Sequence, residues 1–186
     1  MAVTFTTSGT AAAGGVQQSY ALTHTALLEG QLSDIRDNTI GTYVNETGGV
    51  IPFGNVVAFN QAGTVANSAR TIGSGTAIVA GVNVLTYVDE TAVDANSRPG
   101  VKDKQVLNVA NEGAVAMYVH GSVNPATTVR VVHTATGVRY AGQLLASGFA
   151  GRTAVLSNAR YLSSVTGSGL VIVELNGPSF TLTADT

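Results

Sequence analysis

Gly48-Gly49-Val50-Ile51-Pro52-Phe53-Gly54-Asn55-Val56-Val57-Ala58-Phe59 is the stretch on which the reading of this chain turns. The paired glycines break whatever precedes them. Pro52 fixes its own φ and donates no backbone hydrogen bond, which argues against a central strand at that point. Gly54 lets the backbone turn without steric penalty. Val56-Val57-Ala58-Phe59 is a short apolar strand, and Asn60-Gln61-Ala62-Gly63 ends it in a polar turn. The stretch reads as the entry into a compact β domain over residues 48–186. Residues 1–47 then form an N-terminal arm and strap.

Downstream, strand and turn signals repeat. Ala77-Ile78-Val79-Ala80 and Val82 to Val88 are rich in β-branched and aromatic residues. Asp89 to Lys104 is polar, carries Pro99-Gly100, and reads as a contact loop. Gln105 to Val109 and Ala114 to His120 are strands, the second with Val115, Met117 and Val119 on one face. Thr134-Ala135-Thr136-Gly137 joins Val129–Val132 to Val138–Tyr140 as a hairpin, with Gly137 in a left-handed conformation. Thr153–Leu156 and Leu170–Leu175 are further strands, and Pro178 closes the domain. The fold class is mainly β: a small β-barrel or sandwich-like domain with an extended N-terminal arm.

Upstream, residues 1–25 are Thr, Ser, Ala, Gly and Gln with little else. Val3 and Phe5 alternate with Thr4 and Thr6, which permits one short strand. The rest cannot build a core, so it is either a disordered tail or an arm that orders on a partner. Leu28, Leu32 and Ile35 follow at spacings of four and three, which fits one face of a short helix. Gly30 argues against it, with an extended strap as the alternative.

Composition narrows the function. The chain has 186 residues, 45% of them hydrophobic, enough for a real core. Only 11% are charged, against roughly 25% in ordinary soluble chains. A surface this poor in charge suits a protein covered by neighbours. The net charge is −2, and the nine Lys and Arg are scattered, so no nucleic-acid partner is expected. With no Cys there is no disulfide framework and no thiolate metal site. Met1 to Thr7 has neither a basic nor an apolar signal region. The longest apolar run, Ala77 to Val84, is far short of the about 20 residues of a membrane span.

No catalytic, cofactor or metal constellation emerges. His24, His120 and His133 share no ligand spacing. There is no Gly-x-Ser-x-Gly elbow, and Gly73-Ser74-Gly75 and Gly167-Ser168-Gly169 punctuate turns. Asp89 and Glu90 would point to opposite faces of a strand. Glu90, Asp94 and Asp103 match no calcium loop. Asn45-Glu46-Thr47 is a formal glycosylation sequon without a secretion context. The eleven aromatics are spread about one per strand, as core and interface anchors are, and not in a row as a sugar platform would want.

Three blocks carry a resemblance. The first runs from Gly30-Gln31-Leu32-Ser33-Asp34 to Val50-Ile51-Pro52-Phe53-Gly54-Asn55-Val56-Val57. The second joins Ala80-Gly81-Val82 to Gly113–Val119, then Val123-Asn124-Pro125-Ala126 to Val129–Val132. The third is Ala150–Ser164, ending in Gly169–Asn176. In order and spacing they are similar to the structural cement proteins that decorate tailed-bacteriophage capsids, over residues 30–176. The resemblance implies a small β-barrel-like domain with an extended arm. It implies no enzyme and no cofactor. The implied location is the outer surface of the virion capsid, where small homo-oligomers, a trimer first and a dimer second, bridge capsomers of the major capsid protein. The expected capsid and subunit contacts are Val3 and Phe5 in the arm, Leu28, Leu32 and Ile35 in the strap, and Ile51 and Phe53 at the domain entry. The alternative is a tail or adhesion module that binds host surface glycan.

Overall fold

A computed structural model describes residues 27–33, 37–86 and 92–186. Among them the regular elements are all strands, as the mainly β expectation requires. In chain order these are β1 (Thr39–Asn45), β2 (Ile51–Pro52), β3 (Val56–Phe59), β4 (Ser68–Thr71), β5 (Val79–Asn83), β6 (Ala92–Val93) and β7 (Pro99–Val101). There follow β8 (Val106–His120), β9 (Arg130–Val132), β10 (Leu144–Leu145), β11 (Thr153–Leu156), β12 (Ala159–Tyr161), β13 (Gly169–Asn176) and β14 (Leu182–Ala184).

Five of them close into a barrel. β1 pairs in parallel with β4, then β4–β3, β3–β5, β5–β8 and β8–β1 are antiparallel. Val57, Ala69, Ala80, Leu107 and Val109 form the buried cluster of the barrel, with Tyr43 packed against it. Ile51, Phe53 and Val101 belong to the same cluster. They come from the three-stranded sheet β2-β7-β6, or directly follow it, so that sheet packs on the barrel contents. Pro52 sits on its edge strand, where a missing donor costs no ladder bond.

Residues 39–45, assigned by sequence to the arm and strap, are thus a barrel strand. The expected loop over 89–104 also needs correction. Residues 92–101 fold as the β6–β7 hairpin, with Ala92 facing Gly100 and Val93 facing Pro99. Pro99-Gly100 lies in a strand and not in a turn. A Cβ on Gly100 would fall 2.2 Å from the Ile51 carbonyl oxygen, so glycine permits the close strand pairing.

β8 joins the barrel to the rest. It is one strand of 15 residues where the sequence suggested two. Val109 pairs with Gly41 on one edge and Asn83 on the other. Further on, Val115 pairs with Leu32 and Val173, and Val119 with Leu144 and Gly169. Between the two parts the register slips: Thr39 faces Glu112 but Ile40 faces Ala110, which leaves Asn111 as an extra residue. One inserted residue exchanges the two faces of a strand. Leu107 and Val109 therefore point into the barrel, while Val115, Met117 and Val119 join a second, larger cluster. There they meet Val56 and Val82 of the barrel strands and Val171, Val173 and Leu175 of β13. Each such burial contributes roughly 1.5–3 kcal/mol.

Residues 27–33 are not helical: a turn at Glu29–Gly30, closed by Gln31 N donating to Leu28 O at 3.0 Å, leads into the bridge at Leu32, so Leu28 and Leu32 do not share a helix face. Gly30 N donates to Ala116 O, Ala116 N to Gln31 O, and Ser33 N to Ala114 O, each at 2.8 Å. Leu85 N donates to Gly30 O at 2.8 Å. Gly30 has φ +79°, and a Cβ there would lie 2.8 Å from both Gly54 N and Leu85 N. Gly54 has φ +72°, and its Cβ would meet Gly30 N at 2.9 Å. Only glycine at both positions lets the strap backbone lie against the turn before β3.

Two details of the C-terminal half complete the comparison. Gly137 is left-handed at φ +59°, and Thr136 and Arg139 exchange hydrogen bonds of 2.9 and 3.1 Å. β9, however, pairs with β10 and β11 and not with residues 138–140. Pro178 does not close the fold, because β14 beyond it pairs with β11.

Gly30→Ala is expected to destabilise the protein by about 2–3 kcal/mol, from left-handed strain and backbone contact. Gly49, with nothing within 4 Å of a built Cβ, is the control, and Gly49→Ala should stay within about 0.5 kcal/mol. Thermal unfolding of both variants checks this.

Candidate interaction surfaces

The expected contact residues scatter. Val3, Phe5 and Ile35 lie outside the described residues. Leu28 is 59% exposed, whereas Leu32 is partly buried against the larger core cluster. Ile51 and Phe53, at 1% and 2% exposure, fill the barrel interior. Two surfaces gather exposed apolar side chains, of which the sequence pattern singled out Leu28 alone.

The first is the rim of the barrel at the end of β3. Phe59, Val65 and Ile78 are exposed there. Phe59 N donates to Ile78 O at 2.9 Å, and the Tyr43 ring meets the Phe59 ring edge-on at 5.6 Å. Phe59, Val65 and the loop between them line a groove of about 350 Å³. Glu46 pins that loop. Its carboxylate accepts from Thr64 N at 2.9 Å, from Thr64 Oγ1 at 2.6 Å and from Lys104 Nζ at 2.9 Å. The Thr64 hydroxyl first, and Lys104 second, hold its pKa down at about 2. In sequence, Phe59 reads only as the last residue of a strand. Its exposure follows from the loop that leaves it on the rim.

The second surface lies beside the strap. Leu28 and Leu85 are exposed on and next to the strap, and Val138 is exposed on a groove of about 390 Å³. Glu29, Arg98, Tyr118, His120, Gln143 and Ser168 line it, with Val138 on its rim. Arg98 is anchored: Nε and one terminal nitrogen donate to Asp94 Oδ2 at 2.9 and 2.7 Å, and the guanidinium lies 4.7 Å from the Tyr140 ring centre. Asp94 Oδ1 caps its own turn by accepting from Asn96 N and Arg98 N at 2.8 and 2.9 Å. Gln143 Oε1 accepts from Tyr140 N at 3.0 Å, so its oxygen faces that way, and His120 Nε2 at 2.9 Å must be the donor. Burial raises the Glu29 pKa, partly offset by Arg98.

The comparisons with known proteins bear on these surfaces. The family model of the structural cement proteins (E217 gp24/Pam3 gp6) matches residues 16–176. The chain belongs to the phage structural cement protein family. A chain from the capsid of Myoviridae phage XM1 has a similar fold, with a TM-score of 0.57 at 18% identity. The match covers 81% of this chain and 90% of that one. No curated protein matches. As a member of the cement family, the protein is a structural component of a phage virion, with a capsid-stabilising role and capsid proteins as its partners.

For a cement protein, surfaces matter more than reactive groups. Among the described residues, no three His, Asp or Glu side chains gather as a metal site. His133 is buried, with Nδ1 on Thr134 Oγ1 at 2.9 Å, and burial lowers its pKa. Asp103, one of the acidic residues weighed for calcium, accepts from Gly48 N at 2.8 Å.

Glu46 sets a pH dependence. Its pKa falls from an ordinary 4.5 to about 2 on folding, so its stabilisation is complete above pH 4.5 and is lost as pH falls through about 2. The gap in melting temperature between wild type and Glu46→Gln should be widest near neutrality and shrink on acidification. A series of melts from pH 7 to pH 2 reads it.

Proposed function

We propose that the protein binds the outside of the assembled, expanded capsid and ties neighbouring capsomers together as a small homo-oligomer, a trimer first and a dimer second. The family match over residues 16–176 carries this reading. The two exposed apolar surfaces support it. Gly54, beside the strap, and Phe59, on the rim, stand at opposite ends of β3, about 16 Å apart along an extended chain. A bridging molecule needs two such separate faces. The low charge of the chain supports it too, since a poorly charged surface packs on a partner without stripping many ions of water.

The mechanism is mass action with avidity. A ligand that binds only the assembled lattice stabilises it by RT ln(1 + [L]/Kd), about 2.7 kcal/mol per site at a hundredfold excess over Kd. In an oligomer, the later contacts become intramolecular. Residues 1–25 are assigned the role of the arm. Val3 and Phe5, spaced to alternate along one face of a strand, would add to the sheet edge of a neighbour, and Leu28 would extend that contact onto the body. Ile51 and Phe53 hold the barrel together.

The purified protein should co-sediment saturably with empty expanded shells and not with unexpanded ones. Removing residues 1–25 should abolish or sharply weaken that binding. Equal binding by the truncated protein would overturn the role of the arm. Binding to neither kind of shell would overturn the cement role.

A further inference from the structure

The strap groove holds one half-buried carboxylate, that of Glu29. It makes no hydrogen bond among the described residues; it feels the attraction of Arg98 and the repulsion of Asp94. Arg98 is already spent on Asp94 and Tyr140. His120 donates from Nε2 to Gln143, which leaves the Nδ1 lone pair of the neutral ring free to accept. The Tyr118 hydroxyl makes no hydrogen bond among the described residues, and its ring packs edge-on against that of His120 at 5.1 Å. Ser168 Oγ already accepts from Gly121 N. The Tyr118 hydroxyl, the Ser168 hydroxyl hydrogen and the Gln143 side-chain amide can each still donate, so what sets the groove apart is a carboxylate with no hydrogen bond among the described residues. Glu29, Asp94 and Arg98 sum to a net charge of −1. Val138, which lines the groove and is exposed, offers apolar surface to an aliphatic stem.

We propose that this groove receives a basic side chain, a Lys ammonium or an Arg guanidinium, from the capsid protein, with Glu29 as its counter-ion. Burying an isolated carboxylate is costly, and a cation that brings several donors removes that cost. Such a side chain would lay its methylenes on that apolar surface. The cation does not come from the arm of a second copy, because residues 1–26 contain no Lys or Arg. The assignment to the capsid protein rests on the cement reading; the assignment of the groove to a cation does not.

Two measurements separate these. N-acetyl-arginine amide, titrated into the full-length protein and followed by NMR, should shift the His120 and Tyr118 side-chain signals saturably in the millimolar range. The response should vanish in Glu29→Gln, with wild-type melting showing that the variant is folded. No shift in wild type, or the same shift in Glu29→Gln, would overturn the cation site. In shell co-sedimentation, Glu29→Gln should bind about tenfold more weakly at low salt, and Glu29→Lys more weakly still. Wild-type affinity should fall more steeply with salt than that of Glu29→Gln. Unchanged shell affinity in Glu29→Gln would overturn the capsid assignment, and loss of self-association in that variant would assign the cation to a second copy. Failure of wild type to bind shells at all would sink the cement reading while leaving the titration to judge the groove.

Discussion

A strand presents backbone donors and acceptors on both of its edges, and a strand buried on both faces cannot hand them to water. β8 runs for 15 residues, and most of its side chains from Leu107 to Val119 are buried. Everything else in the molecule is arranged to meet that demand. β1 and β5 take its two edges in the barrel. β13 then lies along one edge from Glu112 to Val119, while the strap and β10 share the other. The strap is therefore structural: it supplies backbone partners to Ala114 and Ala116.

A single strand can serve two cores only if it changes faces. The extra residue at Asn111 does this, sending Leu107 and Val109 into the barrel and Val115, Met117 and Val119 into the outer cluster. The exposed carbonyl of the bulge is satisfied by Gly177 N at 2.8 Å, and a Cβ on Gly177 would fall 2.1 Å from that oxygen. The bulge, the glycine that seals it and the end of β13 form one unit. Pairing is tight where backbone meets backbone, at Gly30 with Gly54 and at Gly100 with Ile51.

This economy leaves the outer surface available for contact. Few charges decorate it; among the described residues Asp94 with Arg98 and Glu46 with Lys104 brace loops, and Arg160 with Glu174 ties neighbouring strands. Among the exposed apolar side chains, Val65, Ile78, Leu85 and Val138 sit on loops held by the sheet behind them. A structural component of a virion gains from this: stiff, separated faces lose little conformational freedom on docking.

The sequence by itself determined the class of fold and the family. Alternating Val and Ala runs, glycine and Asn-Pro turns and the absence of long amphipathic stretches are local signals. A strand or turn reads them within a few residues, as at β11, at β13 and at Gly137. Tertiary structure decided what local pattern cannot encode. Leu28 and Leu32 have helical spacing, yet Gly30 belongs to a non-helical strap because Ala116 on the edge of β8 and Leu85 supply its backbone hydrogen bonds. Residues 89–104 look like a loop, yet Pro99 and Gly100 pair with Val93, Ala92 and Pro52 because Ile51 and Phe53 need a lid over the barrel core. Ile51 and Phe53 carry the same apolar character whether they face a partner or the interior; their burial was fixed by the barrel that closes around them. The rim and groove residues were illegible for the same reason. Exposure of Phe59, and the juxtaposition of Glu29 with Tyr118 and His120, come from pairings between segments far apart in the chain, and no short-range periodicity records them.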